Sequence, residues 1–252
     1  MQLLVAFALE MEFAPWRRAR KFARVSYGPS TYEAQVGESS VLVVVMGMGP
    51  RAAKQAMLGA LGQDTPRQFD ACFVCGLTGA LREGFERGEI VTAGQVREAE
   101  SQRLLESDTG LLARAMQKGA RPVTLCTASY VAATTDAKRR MSSLGDVVDM
   151  ESFIVMEQTA QLGMPSLAIR AIGDLVEDEL PSGMAQIINA RGELQFWPAV
   201  CAVLKAPHRL PSLIRFGWQG QRAAKNLAHF LDQLIAALPG SPGRSSAGSA
   251  VG

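Results

Sequence analysis

Four carboxylic acids stand where buried acid–base chemistry could be done. Glu10 and Glu12 follow the apolar run Leu3 to Leu9, Glu151 follows Val147-Val148-Asp149-Met150, and Asp174 closes the run Pro165 to Ile172. Most Asp and Glu side chains are solvated surface charges, but these four sit at the edges of apolar strands. Burial there disfavours the charged form and brings a carboxyl towards the range in which it can donate or accept protons near neutral pH. Glu151 also opens a helical pattern. It is either an anion favoured by the free amides and positive dipole end of that helix, or simply a first-turn cap. If Glu10 and Glu12 continue the first strand, period-two alternation puts both on one face.

Two glycine-containing segments lie beside these acids. Gly47-Met48-Gly49 follows one apolar run and Gly76-Leu77-Thr78-Gly79 follows another. As turns after strands they would let a ligand approach the backbone, and a helix opening at Pro50 would favour an anion. Ordinary tight turns explain them equally well. Neither completes G-x-G-x-x-G, so a dinucleotide site is not indicated.

The elements that must hold these groups follow from the apolar pattern. Leu3 to Leu9, Val41 to Met46, Ala71 to Val74, Gly88 to Ala93, Pro122 to Thr127, Val147 to Asp149 and Pro165 to Ile172 read as strands. Several lack polar alternation, which marks strands buried on both faces. Helical stretches run from Arg51 to Leu61, Gly110 to Lys118, Glu151 to Leu162 and Ala223 to Leu238. This alternation predicts an α/β fold: three α/β/α layers around a mixed, mostly parallel central sheet, with ligands at the carboxyl ends of the strands. A single domain is expected over residues 1–239, divergent at about 180–222. The Ser-, Gly- and Pro-rich tail 240–252 is expected to be disordered.

Composition excludes several classes. The chain has 252 residues, 48% of them hydrophobic and 20% charged, which is enough to bury a core. A formal net charge of +2 and 6% aromatics give no general reason to expect nucleic acid. Cys72 and Cys75 form C-x-x-C inside a strand pattern, where their thiols would point to opposite faces; they read as buried small hydrophobes. His208 and His229 have no cluster of ligands beside them, so no metal is expected. Met1 to Leu9 lacks a basic leader, and no apolar run approaches the roughly 20 residues of a membrane span, so a cytoplasmic protein is expected.

The order of the motifs carries a resemblance. Ala8-Leu9-Glu10-Met11-Glu12, Met46-Gly47-Met48-Gly49, Cys75 to Leu81, Arg87-Gly88-Glu89-Ile90-Val91, Val148-Asp149-Met150-Glu151 and Arg170 to Asp174 resemble the nucleoside phosphorylase and nucleosidase superfamily. The pattern is similar to that of methylthioadenosine/S-adenosylhomocysteine nucleosidases over residues 1–178. The stretch Lys205 to Leu213 resembles instead the hopanoid-associated phosphorylase branch. The resemblance implies cleavage of a purine N-glycosidic bond with release of free base, from an adenosine-type nucleoside with an apolar 5′ substituent of methylthioadenosine or adenosylhopane type. It implies that Asp174 protonates N7 of the base, that Glu151 and Met150 hold the ribose, and that Glu12, or alternatively Glu10, orients the nucleophile. Tyr130 and Val131 resemble the pair that packs on the base. Gly49, Gly76 and Leu77 would line the site. It also implies a homo-oligomer, no cofactor, and phosphate only as a co-substrate.

Two departures bear on this. Gly173 stands where the nucleosidases usually carry Ser, which removes a partner for the acid. Leu77 replaces a small polar residue that helps hold water or phosphate. No phosphate-gripping arginine is evident near Glu10; Arg51 and Arg82 are the substitutes on offer. Hydrolysis is therefore expected slightly ahead of phosphorolysis. Two other classes compete: a non-catalytic nucleoside-binding protein that keeps the fold, and a membrane-surface protein using Lys205 to Arg222 as a basic anchor. Peripheral membrane contact would also suit an enzyme with a lipid substrate.

Overall fold

The computed structural model describes residues 1–25, 30–62, 68–179 and 210–238, with the backbone alone for 210–217. The elements run β1 (Gln2–Phe7), α1 (Glu10–Arg20), β2 (Ala23–Val25), β3 (Thr31–Val36), β4 (Ser39–Val45) and α2 (Pro50–Leu61). They continue with β5 (Ala71–Ala80), β6 (Ile90–Glu98), β7 (Leu104–Glu106), α3 (Thr109–Gln117), β8 (Arg121–Thr127) and α4 (Thr135–Met141). β9 (Val147–Asp149), α5 (Ser152–Gln161), β10 (Ser166–Asp174) and α6 (Leu210–Ala236) complete the order.

All ten strands belong to one mixed sheet whose longest ladders, β5–β10 and β6–β8, are parallel. The unbroken apolar run of Leu3, Leu4, Val5 and Ala6 is fully buried because β1 lies between β4 and β5 with helices on both faces. One face packs on α1, α3 and α6, the other on α2 and α5. Cys72 belongs to one face and Cys75 to the other, as the period of two requires.

β5 organises the sheet. On one side it pairs with β1 as far as Cys75 and then, at Gly79 and Ala80, with β9; on the other it pairs with β10 from Cys72 to Gly79. The pairings β5–β10–β6–β8–β9–β5 close a ring at one end of the sheet. Gly76-Leu77-Thr78-Gly79, expected as a turn, is therefore strand. The cause is long-range: β10 pairs with Gly76 to Gly79 on one side while β9 takes Gly79 and Ala80 on the other.

A second correction concerns the first acids. Glu10 and Glu12 lie in the first turn of α1, not on a continued strand. The helix holds there because Phe13 and Trp16 pack with Phe7, Phe22 and Tyr32, and because Trp16 Nε1 donates to Asp232 of α6 at 2.6 Å. The edge strand β2, its neighbour β3 and the short α4 carry no apolar pattern that announces them. The closing helix begins at Leu210, well before Ala223. The expectations for the divergent segment over residues 180–209 and for the tail 240–252 lie outside the described residues. Among the described residues, no helix is long and apolar enough to cross a membrane.

Candidate active site

The first turn of α1 separates its two acids. At 3.6 residues per turn, positions i and i+2 point about 200° apart. Glu10 turns outward to an ion pair with Arg17 at 3.0 Å. Glu12 turns inward and is buried. One oxygen of Glu12 accepts from Leu9 N–H at 2.9 Å, the side-chain half of a capping box; the other accepts from Leu77 N–H at 2.8 Å. The period-two argument that grouped Glu10 with Glu12 does not apply, and only Glu12 joins the cluster.

Gly76 leaves room for that cluster. A Cβ there would lie 2.4 Å from Arg170 Nη1 and 2.9 Å from Glu12 Oε1. Arg170 and Glu12 thus converge on the space beside a residue without a side chain. Arg170, in the middle of β10, is fully buried and pairs with Asp149 at the end of β9; its Nη2 also donates to Ser152 Oγ at 2.8 Å. Asp149 is further held by Thr127 Oγ1 at 2.7 Å and by Ser152 N–H at 3.1 Å.

Glu151 sits at the N-cap of α5, yet its side chain makes no cap bond. It reaches across to accept from Gly49 N–H at 2.7 Å. Gly49 has φ +90°, a left-handed conformation that L side chains rarely adopt, and it ends the turn that opens α2. The glycine turn and the helix-opening acid, far apart in sequence, therefore meet.

Burial raises the carboxyl pKa of Glu12, against the lowering effect of the Leu77 amide and Arg170. Glu151 is raised for the same first reason, with Asp149 adding repulsion and Arg170 opposing it. Asp149, Glu151 and Glu12 together hold Arg170 cationic. Asp174 ends β10 with its Oδ2 as close as 2.9 Å to a Cβ built on Gly79. It forms an ion pair with the fully buried Lys138 of α4. Burial raises its pKa against the lysine's pull.

These groups share one neighbourhood because β5 carries both ends of it. Gly79 pairs with Asp174 on one side and with Val148, three residues before Glu151, on the other. Gly76 and Gly79 are about 10 Å apart at roughly 3.3 Å per residue. A cleft of about 40 Å³ opens alongside, lined by Pro50, Met150, Phe153, Ile154, Ser129 and Glu100 among others. It meets the cluster through Pro50, next to Gly49, and Met150, next to Glu151, and does not include Asp174. Tyr130 and Val131 follow Ser129 and are exposed, so they are not core packing. Leu77 is half-buried, and a Cβ built on Gly173 or on Gly220 would touch its side chain.

Three residues of the neighbourhood escaped the sequence reading. Arg170 interrupts Ala168-Ile169-Arg170-Ala171-Ile172, and a lone charge inside an apolar strand is a signal that it must be paired within the core. Asp149 at the end of Val147-Val148 is its complement. Arg82, offered as a substitute, instead pairs with Asp146 at 3.2 Å. Lys138 gave no signal, since Lys138-Arg139-Arg140 reads as a solvated basic face.

Solved structures share this architecture. The 5′-methylthioadenosine/S-adenosylhomocysteine nucleosidase of Campylobacter jejuni matches with TM-score 0.72 and 14% identity, covering 94% of this chain and 100% of the other. That of S. pneumoniae gives 0.71 and 18% over 95% and 100%. A futalosine hydrolase mutant of Helicobacter pylori gives 0.69 and 14% over 94% and 100%. No curated protein matches the sequence. The sequence model of the phosphorylase superfamily matches residues 3–236, nearly the whole chain, and the protein belongs to that superfamily.

Proposed function

We propose that the protein cleaves the N-glycosidic bond of an adenosine-type purine nucleoside and releases the free base. The observation that carries this reading is the placement of three raised carboxyls: Glu12 at Gly76 and Asp174 at Gly79 lie along β5, while Glu151 reaches Gly49 and interacts with Arg170 and Glu12.

The chemistry assigns each a task. Breaking the bond between C1′ and N9 leaves positive charge on the sugar and electrons on the base. Asp174 gives its proton to N7, so that the purine departs neutral. Glu151 holds the ribose hydroxyls with Met150, and its charge, opposed by burial in the free site, gains a partner as the sugar becomes cationic. An interaction stronger in the transition state than before it accelerates the step. In hydrolysis Glu12 takes a proton from the attacking water and C1′ receives the hydroxyl. In phosphorolysis C1′ receives phosphate. Arg170, beside Glu12, suits either nucleophile, and the raised pKa of Glu12 suits a base that removes a proton, which favours water. The apolar lining of the cleft by Pro50, Met150, Phe153 and Ile154 supports an apolar 5′ substituent, of methylthioadenosine or adenosylhopane type. Tyr130 and Val131, exposed at its edge, are available to pack on a base.

Free-base detection over a panel of adenosine-type nucleosides, with and without phosphate, tests the reading. Base release independent of phosphate is expected; strict dependence on phosphate would replace hydrolysis by phosphorolysis.

A further inference from the structure

We propose that Lys138 is the positioning residue of the acid: it fixes which oxygen of Asp174 carries the transferable proton and receives the negative charge left after transfer. This rests on the proposed glycosidic cleavage and deepens it. An ammonium group has three donors and no acceptor. All three are committed: Nζ donates to Asp174 Oδ2, to Leu175 O at 2.6 Å and to Asp178 O at 3.0 Å. Oδ2 must therefore be an acceptor in either protonation state of Asp174, and the acidic proton is confined to Oδ1. When the Oδ1–H bond breaks and N7–H forms, the new carboxylate faces a cation already in place.

The arrangement is built for this and has little surface explanation. Lys138 is fully buried, on a short helix whose neighbouring basic residues Arg139 and Arg140 are exposed. A buried ammonium survives only when paired and fully bonded. Gly173, directly before the acid, has no side chain to offer, so the partner comes from α4. The charged groups facing Asp174 are Lys138, Asp178 from the segment after β10, and Arg87 from the loop before β6; the last two pair with each other. Among the described residues, Lys138 is thus the one cation bonded to the acid.

The test is Lys138→Met in the full-length protein, read by the pH profile of base release and by a double-variant cycle with Asp174→Asn. The acid works protonated, so activity falls as pH rises through its pKa. Removing the ammonium raises that pKa, and the alkaline limb of kcat moves to higher pH. At its plateau kcat falls by about 10² with KM little changed, the loss expected when one preorganised donor is removed. In Lys138→Met/Asp174→Asn the loss equals that of Asp174→Asn alone, because Lys138 acts through Asp174. Lys138→Gln keeps a neutral donor and must shift the same limb, which covers an apolar variant that fails to fold. An unmoved limb in an active variant, or losses that multiply in the double variant, overturns the inference and leaves the function standing. A wild-type protein that releases no base from any nucleoside overturns both.

Discussion

At the Gly76 end of the site, Glu12, Asp149 and Glu151 gather round Arg170, the single cation there among the described residues. At the Gly79 end, Asp174 meets one buried cation of its own, Lys138, while Asp178 is paired with Arg87. Both ends are buried and both raise carboxyl pKa values, but their charge balance differs. The first is left with more acid than base, which disfavours the empty site and favours a cation arriving in it. The second is matched, which suits a group that must hold a proton and then carry a charge without a large change of environment. The contrast shows how one strand can serve both halves of a cleavage: electrostatic attraction for the sugar, proton delivery for the base.

The comparison breaks most severely if the Arg170–Asp149 pair is opened. Asp149→Ala leaves a fully buried guanidinium without its carboxylate and should destabilise the protein by about 3–5 kcal/mol, read as a lower urea midpoint. Replacing both partners with apolar residues of similar volume should restore most of that stability, but not base release. A mild effect of Asp149→Ala would mean that Arg170 finds compensation elsewhere.

Next in size is Glu12→Gln. It keeps the shape and an acceptor for Leu77 N–H but removes the base, so kcat should fall by about 10²–10³ with the melting temperature little changed. A smaller and informative effect concerns Glu151. Burial makes its folded form hold the proton more tightly than the unfolded chain does. The stability this carboxyl contributes is fully present below the ordinary carboxylate range and is lost as pH rises through its raised value. Glu151→Gln, which does not ionise, should therefore raise the melting temperature by a few degrees at neutral to alkaline pH, with the gain vanishing in acid, while base release is lost. Melting curves across pH check this; an equal gain at every pH would contradict it. At the small end, Glu10→Gln removes only a half-exposed ion pair and should change stability by less than about 1 kcal/mol and activity not measurably.

How far the sequence announced this differs between these residues for physical reasons. β1, β4 and β10 were legible because strands buried on both faces must be apolar throughout. The meeting of Glu151 with Gly49 was half legible: both were singled out, one as a helix opener and one as a turn, but no local rule says that they bond. Glu10 and Glu12 misled because Leu9-Glu10-Met11-Glu12 alternates like a strand, whereas the aromatic packing of Phe13 and Trp16 makes it a helix. Gly76 to Gly79 misled because glycines read as a turn, and only pairing with β9 and β10 keeps them extended. Lys138 was invisible, since its burial depends on where α4 docks and its neighbours are ordinary surface cations.

The central claim is that Asp174 delivers the proton that lets the base leave. Wild type and a folded Asp174→Asn variant, assayed for free base on the same adenosine-type nucleosides, test it most directly. The account predicts release by wild type and a rate about 10³-fold lower in the variant; equal rates in the two would contradict it.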